Sequence, residues 1–119
     1  MENKTHTEPF FKIFDKLIAE NGITIDRPRG SVHPRFPDLV YPINYGYINE
    51  TQLQDGQGID VFQGDDESFG TVGIICTIDQ IKKDSEVKIL YGCTEENIQT
   101  AMMMLNNGPM CGILVRREI

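Results

Sequence analysis

The chain has 119 residues, 18 acidic and 11 basic, for a formal charge of −7, and 39% of it is hydrophobic. One domain spanning residues 1–119 is expected, since domains commonly hold roughly 100–150 residues and the apolar fraction is too high for a disordered chain. The acidic balance argues against nucleic acid and anionic membranes as partners. No run approaches the ~20 apolar residues of a membrane-spanning helix, and residues 1–6 do not read as a signal peptide, so a cytoplasmic location is expected.

In chain order, residues 8–20 carry the spacing of an amphipathic helix. Phe10, Ile13, Phe14, Leu17 and Ile18 recur at helical intervals, with Lys12, Asp15, Lys16 and Glu20 opposite. Thr7 can cap it and Asn21-Gly22 can end it. A short strand over 23–25 follows. From Asp26 to Asp55 the prolines Pro28, Pro34, Pro37 and Pro42 exclude a helix, leaving a long irregular segment with short extended pieces. Unstructured segments of that length inside one domain usually carry function. Strand-like runs come next at 59–62, 71–78 and 87–91, with turns around Gly64-Asp65-Asp66 and residues 80–85. Thr94 caps a second helix whose first turn holds Glu95 and Glu96, favourably placed at the positive end of the helix dipole. Ile98, Met102 and Leu105 form its apolar stripe, Asn106-Asn107-Gly108-Pro109 stops it, and residues 113–115 make a last strand. Cys76, Cys93 and Cys111 form no CxxC pair and are expected to be reduced, mostly structural thiols.

Three groups of residues could carry chemistry. Asp55 and Asp60 flank a glycine-bent loop, Gly56-Gln57-Gly58-Ile59, and could converge on a hard cation or simply decorate a turn. Asp79, Asp84, Glu86 and Lys88 sit at the two ends of a hairpin. Glu86 and Lys88, two apart on a strand, share a face, while Lys82, Lys83, Asp84 and Ser85 suit a solvated tip. Arg27, Arg29 and Arg35 fall within nine residues beside His33, Tyr41, Tyr45 and Tyr47. Guanidinium forks and phenol hydroxyls both donate to phosphate oxygens. The plainer alternative pairs Arg27 and Arg35 with Asp26 and Asp38 and buries the tyrosines. His33 reads as a loop residue, since no second His or Cys lies at ligand spacing. Acids for a cation and donors for a phosphate around one cleft would suit cleavage of a phosphoanhydride.

The runs IDRPRGS from Ile25, YPINYGYI from Tyr41 and DGQGIDV from Asp55 resemble the soluble family I inorganic pyrophosphatases, whose pattern reads D-R, Y-P-x-N-Y-G-[YF]-I and D-G-D-P-x-D-V. The resemblance covers about residues 23–91. It implies a small, partly open OB-like β-barrel of five or more strands; with the helix at 8–20, which stands where the family has strands, and the second helix after Thr94, the expected fold is mainly β, α+β, with an N-terminal and a C-terminal helix. The resemblance implies Mg²⁺-dependent hydrolysis of inorganic pyrophosphate. Asp55, Asp60, Asp79 and Glu86 would bind the metal, with Asp84 the alternative to Glu86. Arg27, Lys88, Tyr45 and Tyr41 would bind or line the substrate, and Asp60, Gln57 and Tyr45 would take part in catalysis. Gln57 stands where the family has the aspartate associated with activating water, and an amide cannot take a proton as a carboxylate does. The alternative is a relative that binds a phosphate or nucleotide without cleaving it. The family forms oligomers, and Met102-Met103-Met104 offers apolar surface for a homo-oligomer contact.

Overall fold

The structure, a computed structural model, describes residues 7–53 and 56–118. Helix α1 (Thr7–Asn21) buries Phe11 and Ile18. Thr7 is its first helical residue rather than its cap. Gly22, at φ 79°, closes the helix by donating its N–H to the Ile18 carbonyl at 2.8 Å. Six strands follow: β1 (Ile23–Arg27), β2 (Asn44–Ile48), β3 (Asp60–Gln63), β4 (Thr71–Asp79), β5 (Asp84–Tyr91) and, after helix α2 (Glu95–Leu105), β6 (Met110–Arg116). Thr94 caps α2 as expected, in a reciprocal capping box with Asn97.

The strands form one mixed sheet in the order β1-β2-β3-β5-β4-β6. Every neighbouring pair is antiparallel except β3 with β5, which run parallel with Val61 opposite Ile89. The expected barrel is not closed; β1 and β6 are the two edges. Side chains explain the open form. Val61 and Phe62, Ile74 and Ile75, and Ile89 and Leu90 are adjacent in sequence and buried, so they point to opposite faces and both faces must be covered. Helix α1 covers one face, packing Phe11 and Ile18 with Ile48, Val61, Ile74 and Ile89. Helix α2 covers part of the other, packing Ile98, Ala101 and Leu105 with Phe62, Ile75 and Leu90. The α2 stripe thus runs through Ala101. Met102 and Met104 pack at its margin, and of the three methionines Met103 is the exposed one.

Two local features hold the sheet in this shape. A Cβ on Gly46 would lie 1.8 Å from the Thr24 carbonyl oxygen, where β1 shifts register between Ile25 and Arg27, so the glycine of the YPINYGY run is a packing requirement. At the β6 edge, the Asn106 side chain takes the N–H of Gly112 at 3.0 Å and donates to its carbonyl at 3.2 Å. That carboxamide stands in for a further strand and protects the edge at Gly112.

Among the described residues, no helix is long and apolar enough to cross a membrane.

Candidate functional site

The face that α2 leaves open continues into a cleft of about 930 Å³. Strand alternation places Tyr45 of β2, Asp60 of β3, and Glu86 and Lys88 of β5 on that face. The Lys88 ammonium is buried and uses three donors on three partners. It donates to Tyr45 Oη at 2.8 Å, Asp60 Oδ2 at 2.9 Å and Glu86 Oε1 at 2.7 Å.

This geometry drives the two acids apart. Burial, reinforced by the charge of Glu86, raises the Asp60 carboxyl above the usual aspartate range against the pull of Lys88. For Glu86 burial acts in the same direction, but the hydrogen bond and charge of Lys88 outweigh it, and its carboxyl is lowered. Burial alone would lower Lys88; Tyr45, Asp60 and Glu86 more than reverse that and hold it cationic. Burial raises the Tyr45 phenol, which stays protonated. Neighbouring acids with opposed shifts are the arrangement from which acid–base roles are drawn.

A second pair lies beside the first. Arg27 Nη1 donates to Tyr41 Oη at 2.5 Å. The Tyr41 ring stacks on that of Tyr45 at 5.1 Å between centroids, and His33 stacks on Tyr41 at 6.0 Å with the planes 10° apart. The proline-rich segment is folded back to allow this. Gly30 N–H donates to the Tyr41 carbonyl, Tyr41 N–H to the Ser31 carbonyl and His33 N–H to the Leu39 carbonyl, all at 2.8–2.9 Å.

The remaining site residues expected from the sequence divide. Gln57 and Tyr47 line the cleft. Asp79 lines it too, but its Oδ1 accepts the N–H groups of Ile81 and Lys82, each at 2.9 Å, so it also ties the β4–β5 turn. Asp84 pairs with Lys82 at 3.6 Å near the hairpin tip, and Glu86 is the acid that meets Lys88. Asp55 lies outside the described residues. Of the three arginines only Arg27 enters the cleft; Arg29 reaches Asp65 at 3.4 Å on the exterior, and Arg35 is exposed. The plainer alternative is met in the burial of Tyr41 and Tyr45, whereas the Arg27 guanidinium donates to the Tyr41 hydroxyl. The His33–Tyr41–Tyr45 column was not foreseen. The residue types were in view, but their stacking depends on a fold-back of the segment that no local pattern announces.

The acids suit magnesium in kind, since Asp60, Glu86 and Asp79 offer only the carboxylate oxygens that hard cations prefer. Their arrangement is not that of a preformed metal centre. Among the described residues no group of three or more His, Cys, Asp or Glu is placed to hold an ion, and the position between Asp60 and Glu86 belongs to the Lys88 ammonium.

No family model matches this chain, and no curated protein matches it.

Proposed function

We propose that this cleft binds pyrophosphate, or a phosphoanhydride of the same kind, and hydrolyses it with magnesium. The observation that carries the reading is the convergence of Tyr45, Asp60, Glu86 and Lys88 in one hydrogen-bonded cluster beside Arg27. The resemblance of the three motif runs to family I pyrophosphatases, with the OB-like barrel they would share, supports the same reading and belongs to the same proposal.

Charge arithmetic favours a substrate that arrives as its magnesium complex. The cleft is lined by seven acids, Asp26, Asp38, Glu50, Asp60, Asp79, Asp84 and Glu86, against the cations Arg27, Lys82 and Lys88. A bare polyanion would meet net repulsion there. Glu86, Asp60 and Asp79, with Asp55 as the resemblance implies, would hold magnesium, which would supply charge neutralisation and a more acidic water. On the protein side, Lys88 exchanges a carboxylate contact for a phosphate oxygen, and the Arg27 fork binds a second. Both stabilise the charge that grows on the leaving phosphate. Asp60 has a carboxylate oxygen that can accept the proton of the attacking water, a task closed to the Gln57 amide.

The second reading, a binder that does not cleave, draws on Gln57 and on Lys88 having all its donors engaged within the protein. Phosphate release from magnesium pyrophosphate separates the two. Steady release by the parent, reduced at least 100-fold in Asp60→Asn, is expected. Pyrophosphate bound without release would replace the hydrolase by the binder. A homo-oligomer in the cytoplasm remains part of the proposal, with Met103 as the exposed methionine of α2 that such a contact would use.

A further inference from the structure

A cleft of about 930 Å³ lies at the upper end of the roughly 300–1,000 Å³ that encloses an organic ligand of drug size. Pyrophosphate held by Arg27 and Lys88 would fill only part of this cleft. The wall contributed by the proline-rich segment has a different chemistry: Phe36, Pro37 and Leu39 line the cleft there, and the end of α2 adds Met104 and Leu105.

The aromatic column connects Lys88 to that wall. It begins at Tyr45, whose hydroxyl is held by Lys88, passes through Tyr41 and His33, and ends at Phe36, whose ring centroid is 5.0 Å from that of His33 with the planes tilted 45° apart. The first two rings are buried, but Phe36 is 56% exposed and faces the cleft. His33 is fixed in orientation, because its Nδ1 accepts the Arg35 N–H at 3.1 Å. Burial, together with the charges of Arg27 and Arg35, lowers its pKa, leaving a neutral ring at physiological pH. A neutral aromatic column capped by an open phenyl ring is a stacking platform, and every nucleobase has a face to stack on it.

We propose that the occupant of this cleft is a nucleoside 5′-di- or triphosphate, its base on the exposed Phe36 ring and its phosphates toward Arg27 and Lys88. The inference rests on the phosphoanhydride reading above and narrows it to organic substrates. Pyrophosphate alone leaves the apolar wall in water, whereas a base covers Phe36, Pro37 and Leu39 and turns the size of the cleft into affinity. The peripheral acids Asp38 and Glu50 are available to sugar hydroxyls and exocyclic amines, both of which donate hydrogen bonds.

The test is calorimetric titration of the full chain with magnesium pyrophosphate and, separately, with the magnesium complexes of ADP, GDP, CDP and UDP. The same titrations are run on Phe36→Ala, a change at an exposed position that should leave the fold intact. At least one nucleotide should bind about tenfold more tightly than pyrophosphate. Phe36→Ala should remove that advantage while leaving pyrophosphate affinity within twofold. If pyrophosphate binds but no nucleotide binds more tightly, or if Phe36→Ala weakens both equally, the nucleotide inference is overturned and the phosphoanhydride site stands. If neither pyrophosphate nor any nucleotide binds the parent, both proposals fail together.

Discussion

Two cations organise the two faces of the sheet, and their surroundings differ in a way that separates a structural contact from a chemical one. On the α1 face, Arg117 donates to Glu8 at 2.6 and 3.0 Å, to Asp15 at 2.7 Å and to the Thr71 carbonyl at 3.0 Å, and its guanidinium lies 5.9 Å from the Phe11 ring centroid. Both of its acids are lowered: Glu8 chiefly by the Arg117 hydrogen bond, Asp15 because Thr71 and Arg117 outweigh the opposing effect of burial. One guanidinium serves two carboxylates there too, but both are more exposed than Asp60 and Glu86, so solvent helps carry their charge, and the result is a clamp that fastens α1 across the sheet. On the other face one buried ammonium serves two carboxyl groups and a phenol, and Asp60 is left raised. An acid held off its preferred state in the lining of a cleft costs stability, which is a common mark of a site kept for function.

The largest effect should come from the centre of the second cluster. Lys88→Met leaves Asp60 and Glu86 facing each other without their cation, and a loss of about 3–5 kcal/mol is expected from urea unfolding at pH 7. Phosphate release should fall below detection. Lys88→Arg, which keeps the charge but changes the donor geometry, should recover most of the stability and little of the activity.

Asp60→Asn sharpens the contrast between the faces through pH. A carboxyl raised in the folded state contributes stability that is fully present below its unfolded value, about 3.9, and is lost as pH rises through the folded value. The variant should therefore be at least as stable as the parent at pH 8, with that margin shrinking toward pH 4. Glu86 and Asp15, both lowered, act in the opposite sense: their contribution is present above the ordinary carboxylate range and is lost as pH falls through their folded values. A parent clearly more stable than Asp60→Asn at pH 8 would mean that the pairing with Lys88, and not burial, dominates at Asp60.

Arg117→Ala should cost about 1 kcal/mol and lower the melting temperature by a few degrees, since partly exposed ion pairs and a cation–π contact are each worth little. Magnesium pyrophosphate should bind this variant as it binds the parent; a loss of binding would mean that the two faces are coupled. At the small end, Arg116 pairs with Glu95 at 2.8 Å on the exterior, and Arg116→Ala should leave the melting temperature unchanged within error.

Much of this arrangement could be read from residue patterns, and the exceptions have physical causes. Helical periodicity located α1 and α2, and capping chemistry placed Thr94 and Gly22. The apolar runs located β3, β4 and β5 to within a few residues. β2 lay hidden inside the proline-rich segment, where Tyr45-Gly46-Tyr47 was visible as a motif but not as a strand. The α+β class was legible, whereas the sheet is not closed into a barrel. Adjacent apolar pairs such as Ile74-Ile75 and Ile89-Leu90 already signal a sheet covered on both faces, whereas a small barrel with one solvated face would alternate. Glu86 and Lys88 were paired by strand spacing and by the resemblance. The other partners of Lys88 come from 28 and 43 residues away, through a parallel β3–β5 contact that no local pattern reveals. Asp79 was legible as an acid at a strand end, but its service as the cap of the β4–β5 turn depends on the turn geometry, which brings two N–H groups onto one oxygen.

The account stands on Lys88 as an ammonium that can leave its two carboxylates for a phosphate. Calorimetric titration of magnesium pyrophosphate into the parent and into Lys88→Arg, with each variant shown folded by its unfolding curve, addresses this directly. Saturable binding by the parent, weakened at least tenfold in Lys88→Arg, is the predicted result. Equal affinity in the two proteins, or no heat from either, would contradict it.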